Sequence, residues 1–501
     1  MPSPDPPGSL RPHRKTWIIL GGILASFIAA LDTTILATVM PTIVTDLGGL
    51  DLYGWVFSVY MILTAVSMPL WGKLSDIYGK RTLFFAAVGI FLAGSILCGT
   101  STSMIQLIVY RGIQGIGAGG LSSIPFALIS TVFPPSERGK ALGAIASAWG
   151  VSAVIGPMIG SAVVVSFGWP WVFYLNIPVG IAAIGIVAAT YREQAGHIRE
   201  SIDFPGALLL CLTIISLLLA LLRMGRVRTL LDEAVLLLLA AWILFLVLFV
   251  RRERSAPHPI LEIGFFRLRA FWVGNLLGFL ASIAMYGVIA YAPLFAQTIL
   301  GGTAVQAGLM ITPMSLGWST ASLLAGRVTH RWGEPRLVRI GLLFMTVGLL
   351  AAYAAGSGIG IWHLMVCVTL IGIGMGCQTP ALMLTVQQSV EHRNIGVATS
   401  SQMLSRTIGG ALGVSVLGAA LNGVMGSVLS GSLIGPGPVT DPQKLLDPSL
   451  RATLAPADQD LVLRAFGDGM QSVFLIALIV ALISFVLSSL LPRVADRPAS
   501  A

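Results

Sequence analysis

Fourteen runs of mainly apolar residues, each about long enough to cross a bilayer, divide this chain almost completely and leave it few folds to choose from. They lie near residues 17–40, 54–72, 82–100, 104–130, 140–166, 171–191, 204–222, 230–250, 271–297, 304–326, 337–356, 360–386, 395–424 and 470–491. A helix in hydrocarbon needs roughly 20 such residues, because it must satisfy its own backbone where no water can. Only 10% of the residues are charged, against about a quarter in soluble domains, so lipid is the expected solvent for most of the chain. The expected fold is therefore an all-α membrane protein with 14 transmembrane helices. Arg11-Pro-His-Arg-Lys15 ahead of the first run imitates a signal peptide, but that run is too long and lacks a small-residue cleavage site. It reads as a retained first spanner.

The basic residues test this layout, since loops on the cytoplasmic side should hold the excess of Lys and Arg. Of the 30 such residues, 22 fall on the side of the termini, 6 fall opposite, and Arg111 and Arg406 lie inside runs. A missed or invented helix early in the chain would scramble that split. Both termini are thus expected in the cytoplasm, with the protein multi-pass in a plasma (inner) membrane and the lipid bilayer its first partner. The net charge of +9 sits singly or in small groups between apolar runs, which argues against a nucleic-acid partner. Cys98, Cys211, Cys367 and Cys377 lie in apolar segments at no zinc or redox spacing, and read as packing residues. The six histidines complete no nucleophile-base or metal constellation, and no Walker-type phosphate loop is present. No enzyme, metal or cofactor is expected.

Gly72-Lys-Leu-Ser-Asp-Ile-Tyr-Gly-Lys-Arg-Thr82 aligns without gaps to Gly326-Arg-Val-Thr-His-Arg-Trp-Gly-Glu-Pro-Arg336, and the same offset carries Glu137 to Glu391. An internal repeat of this kind implies two six-helix bundles, residues 1–200 and 266–501, with helices 7 and 8 and a cytoplasmic linker intercalated over 201–265. Such repeats meet at a midplane cavity in secondary transporters and rock about it.

The segment Gly72 to Thr82 joins helices 2 and 3. Its glycines allow a tight turn, and Asp76 can sit against a neighbouring helix N-terminus or a basic side chain, making a charge lock for one conformation. An ordinary solvated loop is the bland alternative. This segment resembles the signature loop of the major facilitator superfamily. Leu107-x-x-x-Arg111-x-x-Gln114-Gly115-x-Gly117 resembles that superfamily's second motif, and Gly150-x5-Gly156-Pro157-x2-Gly160 resembles the motif of its antiporters. Leu31-Asp32-Thr33-Thr34 through Pro41 and Trp171-Val-Phe-Tyr-Leu-Asn176-Ile-Pro178-Val-Gly180 resemble motifs of the fourteen-spanner drug:proton antiporters. The resemblance implies a multidrug efflux transporter, driven by a proton gradient without a cofactor, that exports small hydrophobic or cationic drug-like compounds by alternating access. It implies Gly72, Asp76, Gly79, Arg81, Gln114 and Gly115 as a conformational switch, and Gly150, Gly156, Pro157 and Gly160 as a hinge. The second half departs from the signature loop, with His330 where the first has Asp76, so a symmetrical lock is not expected. A dedicated exporter of an endogenous lipid, siderophore or metabolite is the alternative, and a non-transporting receptor a weaker one. A monomer is expected.

Asp32 is a carboxylate deep within a run, a costly placement that points to function. At ~1.5 Å per residue it lies about 22 Å from the cytoplasmic edge, and Arg111 reaches a similar depth on helix 4, so the two are expected to pair and carry proton coupling. A static ion pair is the structural alternative. Arg406, near mid-membrane, has no acidic residue at its depth in the second half; substrate-site and structural roles stand level. Phe57, Tyr60, Trp149, Tyr286, Tyr291 and Trp318 are candidate pocket residues, although most aromatics in spanners serve packing. The stretch from about Met425 to Gly469 is long and Gly/Pro/Asp-rich, either an outer gate or a passive loop.

Overall fold

The computed structural model describes residues 12–49, 52–193, 203–227, 232–298, 304–356, 360–430 and 456–492, and no strand occurs among them. The first half comprises α1 (Pro12–Leu47), α2 (Tyr53–Tyr78), α3 (Lys80–Gly99), α4 (Met104–Val132), α5 (Pro135–Phe167), the short α6 (Pro170–Tyr174) and α7 (Asn176–Thr190). Two helices follow, α8 (Phe204–Val227) and α9 (Glu233–Ser255). The second half holds α10 (Arg269–Thr298), α11 (Ala304–Trp332), α12 (Glu334–Ala355), α13 (Ile361–Gln387), α14 (Ile395–Ser430) and α15 (Pro456–Leu487). Thirteen spans, α6 and α7 counted as one, are long and apolar enough to cross a membrane. The remaining expected run is α11, whose apolar sequence is interrupted by the buried Ser315, Ser319 and Ser322 because it packs between protein neighbours, α5 and α13.

Several boundaries differ from those expected, and three bear on the site. The sixth run breaks at Leu175, where Pro178 has no N–H to offer the Tyr174 carbonyl. The last helix starts at Pro456, fourteen residues before the apolar run at 470, because its first turns are polar. The connector suggested for 425–469 shrinks accordingly, and its core, 431–455, lies outside the described residues. The signature segment is also less of a loop than expected: Gly72 to Tyr78 is helical, and only Gly79, at φ +91°, breaks α2 from α3. Gly333, its counterpart in the repeat, breaks α11 from α12 at φ +77°, a conformation that favours glycine in both places.

The apolar cores follow the repeat. One large cluster draws only on α10 to α15, and two others only on α1 to α7. Between the halves lies α8: Leu210, Ile214 and Leu218 pack with Ile62 and Val66 of α2 and with Leu412 of α14. Outside it, α9 presents Leu236, Leu237, Ile243 and Leu244 outward, as a helix against lipid does. Two ion pairs staple this hairpin, Arg252 to Asp203 at 2.8 Å on the basic face and Arg223 to Asp232 at 3.0 Å on the other. The Arg252 hydrogen bonds hold the Asp203 carboxyl below the ordinary carboxylate range.

Candidate functional site

Asp32 on α1 and Arg111 on α4 form an ion pair, 4% and 1% exposed. A buried pair requires its remaining valences to be filled, and Gln114 and Asn176, backed by Ser95, fill those of the carboxylate, while Arg111 Nε is left buried without an acceptor. Gln114 Nε2 donates to Asp32 Oδ1 at 2.8 Å, and Asn176 Nδ2 donates to the same oxygen at 3.2 Å. Both amides also donate to Ser95 Oγ, at 2.9 and 2.8 Å, while Arg111 donates to Gln114 Oε1 at 2.6 Å. Gln114, expected in the conformational switch, sits against the carboxylate, because three residues along α4 return it to the face of Arg111. Asn176 arrives at the N-terminus of α7, immediately after the break at Leu175.

The Tyr60 ring covers the pair, with the Arg111 guanidinium 3.9 Å from its centroid. Gly115 sets that ring's place: a Cβ there would lie 2.7 Å from the Tyr60 carbonyl oxygen, so α2 and α4 approach to backbone contact. On its other side Tyr60 faces a cavity of about 380 Å³ between the halves. Trp149, Tyr286, Trp318 and Arg406 line it as the sequence suggested, together with Met61, Met68, Phe126 and Met403. Phe57 does not. It packs against Tyr53, ring centroids 5.5 Å apart, within a first-half apolar cluster, three residues and most of a turn from Tyr60. Tyr291 is likewise absent from the lining, its hydroxyl donating to the Val414 carbonyl at 2.8 Å. Leu218, Leu221 and Leu222 bring α8 into the wall, a contribution the sequence reading did not assign.

Toward the basic face the halves are joined. Asp76 accepts from the backbone N–H groups of Gly396 and Val397, each at 3.0 Å, so a carboxylate of the first half caps α14 of the second. Lys80 bonds the same carboxylate at 3.0 Å. A Cβ on Gly72 would lie 2.6 Å from the Gly396 carbonyl oxygen. Arg81 turns away from this seam: it donates to the Ala188 carbonyl at 2.9 Å within its own half, and Glu193 accepts from the Lys80 and Arg81 amides. On α5, Gly150 faces Ser315 and Ser319 of α11, whereas Gly156 and Gly160 face Thr34 and Ile35 of α1. Pro157 sits between the last two, so α5 is held by one half and touches the other. Ser319 Oγ donates to the Ser147 carbonyl at 3.1 Å, and Ser130 Oγ to Gln387. The hydrogen bonds that Ser130, Ser319, Gln387 and Asp76 make between residues 12–193 and 269–492 lie at the depth of the cavity or on its basic-face side.

The Major Facilitator Superfamily model matches residues 22–414. The chain belongs to that superfamily. It is 36% identical over 423 residues to the multidrug transporter protein MdtP of Bacillus subtilis, covering 84% of this chain and 78% of the relative. It is 33% identical to multidrug resistance protein 3 of the same organism, covering 92% of each. Among solved structures, the proton:xylose symporter XylE superposes with a TM-score of 0.63 at 15% identity, covering 96% of both chains, which shows the fold.

Within this superfamily fold, the sequence motifs divide into three places. The first-helix and fourth-helix motifs meet at Asp32, the signature loop meets the start of α14, and the α5 glycines divide between α1 and α11. Ser95, Asn176 and Ser130 were the functional-looking residues without an assigned role. Asn176 was visible as an amide inside an apolar motif, but Ser95 and Ser130 are single hydroxyls that a helix can satisfy on its own carbonyls, so neither gave a signal.

Proposed function

We propose that this multi-pass membrane transporter is a proton-coupled antiporter that exports hydrophobic small molecules by alternating access. The observation that carries the reading is the Asp32–Arg111 pair sealed behind Tyr60 at the wall of a largely apolar cavity. Ionised, the carboxylate is satisfied by Arg111, Gln114 and Asn176; a movement of α1 against α4 removes those donors, and the desolvated carboxylate then takes up a proton. The basic face is the cytoplasmic one, with both termini there and the bilayer a plasma (inner) membrane. Its seam is closed in this structure, so the cavity belongs to the state that accepts protons from outside and releases substrate. The protein works as a monomer on the proton gradient alone.

The test uses purified protein in proteoliposomes with a pH-sensitive dye inside. Adding a hydrophobic substrate to wild type elicits proton movement, and Asp32→Asn abolishes it while the protein still binds substrate. Undiminished proton movement in Asp32→Asn overturns the assignment.

A further inference from the structure

Arg406 is a cation in the cavity wall with no carboxylate to pair with among the described residues, and its Nε is buried without an acceptor. Trp318 Nε1, also in the wall, is likewise buried without one, and the guanidinium lies 5.8 Å from the Trp318 ring centroid. Two neighbouring donors from α14 and α11 are therefore buried in the cavity wall without an acceptor. Buried donors without acceptors are costly, and a ligand that brings acceptors removes the cost.

The position of the arginine is built rather than incidental. Its stem packs on Gly278 of α10, where a Cβ would sit 3.3 Å from Arg406 Cγ, and one turn on Gly410 makes room for the Tyr286 ring. The wall contains no Asp or Glu, and Asp32 lies behind Tyr60, already paired with Arg111. The hydroxyls of Thr33, Thr64, Thr407 and Ser415 donate to backbone carbonyls, so Arg406 is the one charged donor in the wall without a carboxylate, beside the Trp318 indole. The field in this low-dielectric cavity is thus positive, attracting anions and repelling cations.

We propose that the cavity selects lipophilic organic anions, an apolar body bearing a carboxylate or sulfonate, with Arg406 and Trp318 reading the anionic group. This rests on the efflux reading above and narrows its expected hydrophobic or cationic substrates to anionic ones. Met61, Phe126, Trp149 and Leu218 hold the apolar body.

The test compares 1-anilinonaphthalene-8-sulfonate with N-phenyl-1-naphthylamine, one framework with and without the charge. Binding is measured on the full chain in lipid nanodiscs, corrected for empty discs. Wild type binds the sulfonate at least about tenfold more tightly than the amine, Arg406→Gln brings the ratio near one, and Arg406→Lys restores part of it. Should Arg406→Gln not fold, Trp318→Phe keeps a ring but removes the N–H, and lowers the same ratio severalfold. A wild-type ratio near one, a ratio unmoved in a folded Arg406→Gln, or tighter binding of a trimethylammonium derivative of the framework overturns the proposal. Arg406-dependent sulfonate binding with no proton movement for any probe would leave the anion site standing and sink antiport. Proton movement with the neutral and cationic probes but not the sulfonate would do the reverse.

Discussion

Gly139 of α5 and Gly326 of α11 meet backbone to backbone across the seam between the halves: a Cβ on Gly139 would lie 3.0 Å from the Gly326 carbonyl oxygen. Gly326 is the repeat partner of Gly72, which meets Gly396 on the opposite side of the pseudo-symmetric assembly. The repeated glycine thus marks where each half touches the other. Only one of the two seams carries a carboxylate lock, because His330 stands where Asp76 does.

Gly139→Leu holds the basic-face seam open. Overpacking of about 1–3 kcal/mol is concentrated on the closed state, since the added atoms meet a partner only there. Spin-label distances between the basic-face ends of α5 and α11 lengthen and transport is lost, while circular dichroism stays that of wild type. Wild-type distances in the variant would show that the contact is not a stop.

Asp76→Ala removes a charged acceptor from two amides at the start of α14. At about 2 kcal/mol for such bonds, the ratio of closed to open seam falls roughly thirtyfold. The same distance measurement across α2 and α14 reads the shift, and the Lys80→Met variant, which leaves both amides capped, shifts less.

Tyr60→Phe keeps most transport and Tyr60→Leu does not, because Arg111 rests on the ring face. Desolvated contacts of this kind contribute about 2 kcal/mol. Substrate-driven proton movement in proteoliposomes ranks the variants, and equal loss in both would assign the role to the hydroxyl instead.

The Asp203–Arg252 staple makes stability depend on pH. The folded Asp203 carboxyl is held below its unfolded value, so its contribution is present above about pH 4 and lost as pH falls through the folded value. In detergent, wild type melts above Asp203→Asn near neutral pH, and the gap narrows under acid. A gap independent of pH would mean that the pair contributes through packing alone.

The apolar spans were legible in the sequence because each helix must close its own backbone hydrogen bonds in lipid. That requirement is local, and it writes length and apolarity directly into the chain. The Asp32–Arg111 pair was legible too, since a charge at that depth is costly enough that two at one level imply each other. Which face each helix turns inward was decided only by the tertiary structure. Lipid and protein interior are both apolar, so Phe57 and Tyr60 look alike in one dimension, although one packs in a core and the other roofs the ion pair. For the same reason the places of Gln114 beside Asp32, α8 in the cavity wall, and Arg406 beside Trp318 follow from packing between helices distant in sequence.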